Sequence, residues 1–316
     1  MVLNIRRYTD SAIMRRAHHI IRRSLIVLVV IGASYVAAHF FIAPIASLVD
    51  RHPKTAGTPA DWGHTFETYV VRGAAGNRLT YWYVNGASEK GQIILLPNNG
   101  GNKSRPLMRW TTRILTDEGF NVVLADPRGQ GDSRGIKTYG YGESLDIVKL
   151  ILDIKDRYPA RPIGGLGYSV GAATLLRSMG MERQLRAVVS FATYSRLDSG
   201  LVRKELSYQT AGRWQGQGVM LGLIAKSFRF WAFSFRRVPS PLDSVRQLQD
   251  QHVLLMHFKN DPELPVAYSL EIYDEAPLEL VDLHIYDERK HVPWNRAHRF
   301  EADFRERIVA FFSRYL

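Results

Sequence analysis

A mostly parallel α/β sheet, about eight-stranded and covered by helices on both faces, is the architecture this sequence predicts, and three observations carry it. Short apolar runs recur at 92–96, 121–125, 163–168, 186–191, 252–258 and 280–286. Helical stretches such as 104–118 and 143–157 lie between most of them and end before Gly or Pro. A Gly-x-Ser-x-Gly run stands directly after one of these strands and directly before a helix. Strands buried on both faces read as continuous apolar runs. Their alternation with helices specifies parallel crossovers, with ligands bound beyond the carboxyl ends of the strands.

The elements follow in chain order. A length of 316 residues suits one large domain plus an appendage, and the appendage comes first. Residues 1–23 form a basic tail in which Arg6, Arg7, Arg15, Arg16, Arg22 and Arg23 oppose only Asp10. From Leu25 to Val49 there is no Asp, Glu, Lys or Arg, enough helix to cross a hydrocarbon core of roughly 30 Å. Residues 24–49 are therefore expected to be a transmembrane signal anchor. The arginines outnumber Arg51 and Lys54 on the far side, which places the N-terminus in the cytoplasm and the remainder of the chain outside the inner membrane. The rival, a cleaved signal peptide, requires a shorter apolar core and a small-residue cleavage site, which do not stand here. Residues 50–65, with Pro53, Gly57, Pro59 and Gly63, form a linker.

The catalytic-sized domain spans 66–316. It opens on strands at 67–72 and 78–84 joined through Gly73–Asn77, a hairpin pattern, and continues through the six apolar runs above. An apolar content of 46% supplies a sizeable core. The absence of cysteine excludes disulfide scaffolds, thiolate metal sites and cysteine nucleophiles.

The chemistry gathers at the strand ends. In Gly167-Tyr-Ser169-Val-Gly171, a sharp strand-to-helix turn needs residues without a side chain on either side of the serine. A second match, Gly131-Asp-Ser133-Arg-Gly135, has no strand immediately before it and is flanked by charged residues, so Ser133 reads as a loop residue. A serine hydroxyl needs a base to take its proton, and the base needs an acid to fix its tautomer. Asp261 follows the strand 252–258 and His291 follows the strand 280–286. Glu263 and Asp198 are reserve acids. His284, inside a strand, and His298, in a helix, are weaker candidates for the base. An oxyanion hole requires two N–H donors. The backbone of Val170 supplies one; the loop Pro97-Asn98-Asn99-Gly100-Gly101-Asn102 supplies the other, from Asn99 with Asn98 in reserve, since Pro97 has no N–H.

On these motifs, residues 66–315 resemble the α/β-hydrolase superfamily, and within it the membrane-anchored bacterial hydrolases of the serine aminopeptidase-like and lysophospholipase-like type. The matching runs are Leu96–Asn102, Asp126–Ser133, Gly167–Gly171 and the loops ending at Asp261 and His291. The resemblance implies an α/β-hydrolase fold and a Ser169–Asp261–His291 triad. The chain departs from the family pattern at Pro97-Asn98, where His-Gly is usual, and at Phe258 and Lys290, where Gly is usual.

A helical cap is expected over the serine at about 195–245, carrying a net charge of +5 and an apolar face of Met220, Leu223, Ile224, Phe228, Trp231 and Phe235. With another +5 in the N-terminal tail, little of the formal +12 remains elsewhere. A nucleic-acid-binding surface is accordingly not expected; membrane lipid and a small-molecule ester or lipid substrate are the expected partners. The expected activity is hydrolysis of carboxylic esters of apolar acyl groups, without metal or organic cofactor. Peptidase, aminopeptidase and thioesterase activities on the same triad, and an inactive membrane-tethered binding protein, are the alternatives. The sequence leaves the oligomeric state open.

Overall fold

The computed structural model describes residues 2–37, 54–88, 90–197, 238–288, 290–293 and 298–316. Most of the expected cap, including its apolar helical face and Asp198, lies outside the described residues, as do 38–53.

Helix α1 runs from Val2 to Ala37, so the arginine-rich segment and the apolar segment share one helix instead of dividing at residue 24. Within it Ala17–Ala37 has a mean hydropathy of 1.9 and no residue buried against the rest of the protein. Its Leu25–Ile31 run is exposed along its whole length, which is the condition of a helix whose apolar surface is meant for something other than this domain's core.

A short 3₁₀ turn, Pro59–Trp62, precedes the sheet. The strands are β1 (Phe66–Arg72), β2 (Arg78–Val84), β3 (Gln92–Leu96), β4 (Asn121–Ala125), β5 (Ile163–Tyr168), β6 (Leu185–Phe191), β7 (His252–Phe258) and β8 (Val281–Tyr286). They form one eight-stranded sheet in the order β1-β2-β4-β3-β5-β6-β7-β8. The first hairpin, β1 with β2, is antiparallel, as is β2 with β4; every later pairing is parallel.

The central parallel strands are apolar on both sides because both sides are covered, whereas β8 at the edge is half-exposed. Ile93 and Leu95 face a cluster closed by α2 (Pro106–Asp117) and α7 (His298–Tyr315). Ile94 and Leu96 face the opposite cluster, closed by α3 (Tyr141–Arg157), α4 (Val170–Met179), α5 (Pro241–Val245) and α6 (Ala267–Asp274). Local signals set the helix starts. Pro106 occupies the first turn of α2, where a missing N–H costs nothing. Ser240 and Asp243 cap α5 reciprocally, the Ser240 Oγ accepting from the Asp243 N–H and the Asp243 carboxylate from the Ser240 N–H.

Candidate active site

Because β5, β7 and β8 run parallel, residues just past their carboxyl ends share one edge of the sheet. Ser169, Asp261 and His291 all lie there, each on the segment that leaves its strand.

Ser169 ends β5 and caps α4 with φ 56° and ψ −117°, a backbone conformation that costs an L-residue about 1–3 kcal/mol. The surroundings hold it there. Its N–H donates to the Phe191 carbonyl (2.8 Å) and its carbonyl accepts from the Ala173 N–H (3.1 Å). The flanking glycines are obligatory: a Cβ on Gly167 would stand 2.5 Å from the Ala172 nitrogen, and one on Gly171 would stand 2.4 Å from the Pro97 oxygen. That second approach presses the end of β3 against the first turn of α4. The loop after β3 thereby adjoins Val170, whose N–H has no acceptor within the helix. In that loop Asn98 to Gly101 form a tight turn, closed by the Gly101 N–H donating to the Asn98 carbonyl and turned by Gly100 at φ 69°.

Asp261 and His291 are brought together, with the His291 Nδ1 2.7 Å from the Asp261 Oδ2. The acid is fully buried and its second oxygen accepts from the Glu263 and Leu264 N–H groups (2.7 and 2.9 Å). Burial alone would raise this carboxyl. Hydrogen bonds from His257 and His291, the charge of His291 and the Leu264 N–H overcome that and hold it far below the usual carboxylate range. Asp261 is thus an anion at neutral pH, suited to orient an imidazole.

The sequence missed one residue at this site, His257, and did not show where a second, Glu263, would stand. His257 is fully buried on β7, with its Nε2 3.4 Å from the Asp261 Oδ2 and 3.0 Å from the Leu264 carbonyl, and its Nδ1 2.7 Å from the Ser269 Oγ. Those partners suit a proton on Nε2, shared between the Leu264 carbonyl and the Asp261 carboxylate, with the Ser269 hydroxyl paired to Nδ1. A histidine within an otherwise apolar buried strand was the available signal. Glu263, a reserve acid by sequence, does not stand behind the imidazole: its Oε2 is 3.5 Å from the His291 Nε2, on the side that must serve the serine. Among the described residues the Ser169 hydroxyl has no hydrogen-bond partner, so this resting arrangement is open between serine and histidine. Such contacts commonly tighten only when substrate binds.

The remaining candidates fall away from the chemistry. Ser133 is buried and staples its loop, its hydroxyl donating to the Asp126 carbonyl (2.7 Å) and accepting from the Thr80 N–H (2.8 Å). His284 is on β8, 3.6 Å from Asp303, and His298 begins α7. Phe258 is buried among Phe191, Tyr286 and Phe300, while Lys290 pairs with Glu288 at 2.6 Å.

An antiparallel hairpin leading into a parallel sheet, a serine on a strained strand-to-helix elbow and a buried Asp–His pair beyond the strand ends make up the architecture of the α/β-hydrolase fold. The family model described as serine aminopeptidase, S33, matches residues 89–223, a span that includes β3, the elbow and β6. Among solved structures, an esterase of Pyrococcus furiosus superposes with a TM-score of 0.68 at 22% identity, covering 84% of this chain and 99% of that one. The esterase domain of a Rhodothermus marinus protein gives 0.55 at 16% identity, covering 79% and 99%. The acylaminoacyl peptidase of Pyrococcus horikoshii gives 0.59 at 16%, covering 80% of this chain and 42% of that one. No curated protein matches in sequence. The chain has the α/β-hydrolase fold, and the serine aminopeptidase-like family model matches the part of it that carries the elbow.

Proposed function

We propose that the protein is a membrane-anchored serine esterase that cleaves carboxylic esters of apolar acyl groups, lysophospholipid-like amphiphiles among them, through an acyl-Ser169 intermediate. The observation that carries the reading is the buried Asp261–His291 hydrogen bond on the same sheet edge as the strained Ser169. With Nδ1–H donated to Asp261, the His291 Nε2 takes the proton of the Ser169 hydroxyl as Oγ attacks the ester carbonyl. The charge that develops on the carbonyl oxygen is met by the N–H groups of Val170 and Asn99. The carbon–oxygen bond to the alcohol breaks as the histidine returns its proton to the leaving oxygen. Water, activated by the same Nε2, then releases the carboxylic acid and restores the serine.

The apolar window Ala17–Ala37 and the arginines at its start support insertion in the cytoplasmic membrane with the N-terminus inside and the catalytic domain outside. One observation favours a second reading. The half-exposed Glu263 carboxylate beside the His291 Nε2 offers an anion to a substrate ammonium, as an aminopeptidase requires. The purified full-length protein should be labelled by a fluorophosphonate probe, and Ser169→Ala should not; equal labelling of both would end the serine-hydrolase reading. Comparing nitrophenyl esters, lysophospholipids and aminoacyl amides with their N-acetylated counterparts separates esterase from aminopeptidase.

A further inference from the structure

Residues Lys54–Ala56, ahead of the sheet, do not simply pass the domain; they are fastened to the loop that would form the oxyanion hole. Four hydrogen bonds tie three consecutive residues to that loop and its neighbour. The Asn102 Nδ2 donates to the Lys54 carbonyl (3.3 Å), and the Ala56 N–H donates to the Ser104 Oγ (2.9 Å). Thr55 holds two: its hydroxyl accepts from the Lys103 Nζ (3.1 Å) and donates to the Asp126 Oδ2 (3.3 Å).

The residues it grips are themselves locked. Lys103 is fully buried, paired with Asp126 and, at 2.6 Å, with Asp132, and its ammonium sits 4.7 Å from the centre of the Trp82 ring. Its N–H donates to the Asp126 Oδ1 at 2.8 Å. Ser104 passes the contact back along the loop, its N–H and hydroxyl both donating to the Asn102 Oδ1 (3.0 and 2.8 Å). The turn Asn98–Gly101 is thus held between two anchors. One is the end of β3 pressed on Gly171; the other is the Asn102–Ser104 segment fixed by the strap.

We infer that Lys54–Ala56 is a strap whose positioning residue, Thr55, keeps the 98–101 turn in the geometry that stabilises the reaction's oxyanion. The inference rests on the serine-esterase reading above. A hole of backbone N–H groups works only when its dipoles are already aimed, since a donor that must first be ordered contributes little at the transition state. The turn has no element of secondary structure of its own to stiffen it, so the strap is its brace on the C-terminal side. The tether to the N-terminal helix and the catalytic loop consequently share one hydrogen-bond network.

The test uses the full-length protein in detergent micelles. Thr55→Val and Ser104→Ala, singly and together, are compared with wild type and with Ser88→Ala, whose hydroxyl donates to Gly119 away from the site. The double variant is expected to lose about tenfold to a hundredfold in kcat on a nitrophenyl ester, with KM within about twofold. Its affinity for a trifluoromethyl ketone, which forms a tetrahedral adduct on the serine, should fall by the same factor. Amide hydrogen exchange at 98–102 should accelerate while the thermal midpoint matches that of Ser88→Ala. Unchanged exchange at 98–102, or kcat and adduct affinity that follow only a fall in thermal midpoint, would overturn the strap. Failure of the wild type to hydrolyse ester or accept the probe counts against the esterase reading instead, and the exchange measurement still decides whether the strap orders the turn.

Discussion

Ser169 occupies a conformation it would not choose, and the consequence is measurable. Glycine adopts a positive φ without penalty, so Ser169→Gly should abolish activity while raising stability by about 1 kcal/mol in denaturant unfolding. A neutral or destabilising result would mean that the elbow stores no strain. Asp261 makes a second residue-level prediction. A carboxyl held well below its ordinary value of 3.8 stabilises the fold fully while pH is above that value, and the contribution is lost as pH falls toward the folded-state value. The gap in thermal midpoint between wild type and Asp261→Asn should therefore be present above about pH 4 and narrow progressively as the pH falls below it. The same variant should lose on the order of 10⁴-fold in kcat by presenting the wrong imidazole tautomer. Glu263→Gln should keep fluorophosphonate labelling, because this carboxylate is not behind the base. Asp261, His291 and Ser169 could be singled out as candidates because Ser169 directly follows β5 while Asp261 and His291 follow β7 and β8 by a short loop. The position of Glu263 was not, since a spacing of two residues does not say which side of an imidazole a carboxylate will reach.

At the scale of elements, the glycine pattern around the serine is a packing statement. Gly171→Ala drives a Cβ into the Pro97 carbonyl and should cost about 2 kcal/mol or more, read as a lowered denaturant midpoint, with loss of labelling as the elbow shifts away from the loop after β3. The loop carrying the second Gly-x-Ser-x-Gly run has its own lock. The Arg128 Nε and Nη2 donate to the two oxygens of Asp146 on α3, at 2.7 and 2.5 Å, and both side chains are buried. Arg128→Leu would leave that carboxylate without a cation, held only by the Ala74 N–H and the Asn77 Nδ2, and should cost about 3–5 kcal/mol; a cost below about 1 kcal/mol would show that water reaches the site. The central strands β3 to β7 were legible because a strand covered on both faces is almost wholly apolar, β1 and β2 because alternating residues flank a Gly–Asn turn, and β8 from a shorter apolar run at the sheet edge. The helix starts were read less well. The helix expected from 143 begins at Tyr141, after Gly140 at φ 91°, a turn decided by the buried Glu143 accepting from the Gly140 N–H. The five-residue α5 gave no periodic signal at all.

For the whole molecule, the balance between the N-terminal helix and the domain decides where the enzyme works. Deleting residues 1–37 should move the protein from the membrane pellet to the soluble fraction while leaving fluorophosphonate labelling intact; continued sedimentation with membranes would assign attachment to another surface. The sequence by itself determined the sheet, the apolar helix that precedes it and the order serine, acid, histidine, because burial on both faces, the absence of charge over a long run and a glycine-flanked elbow are local constraints written in residue type. Tertiary structure alone decided that His257 stands behind Asp261, that Glu263 faces the His291 Nε2 and that Lys54–Ala56 fastens to the loop after β3. Those contacts join residues from separate parts of the chain, and hydrogen bonds between polar groups on different loops leave no periodicity to read; they exist only once the apolar strands have set the loops side by side.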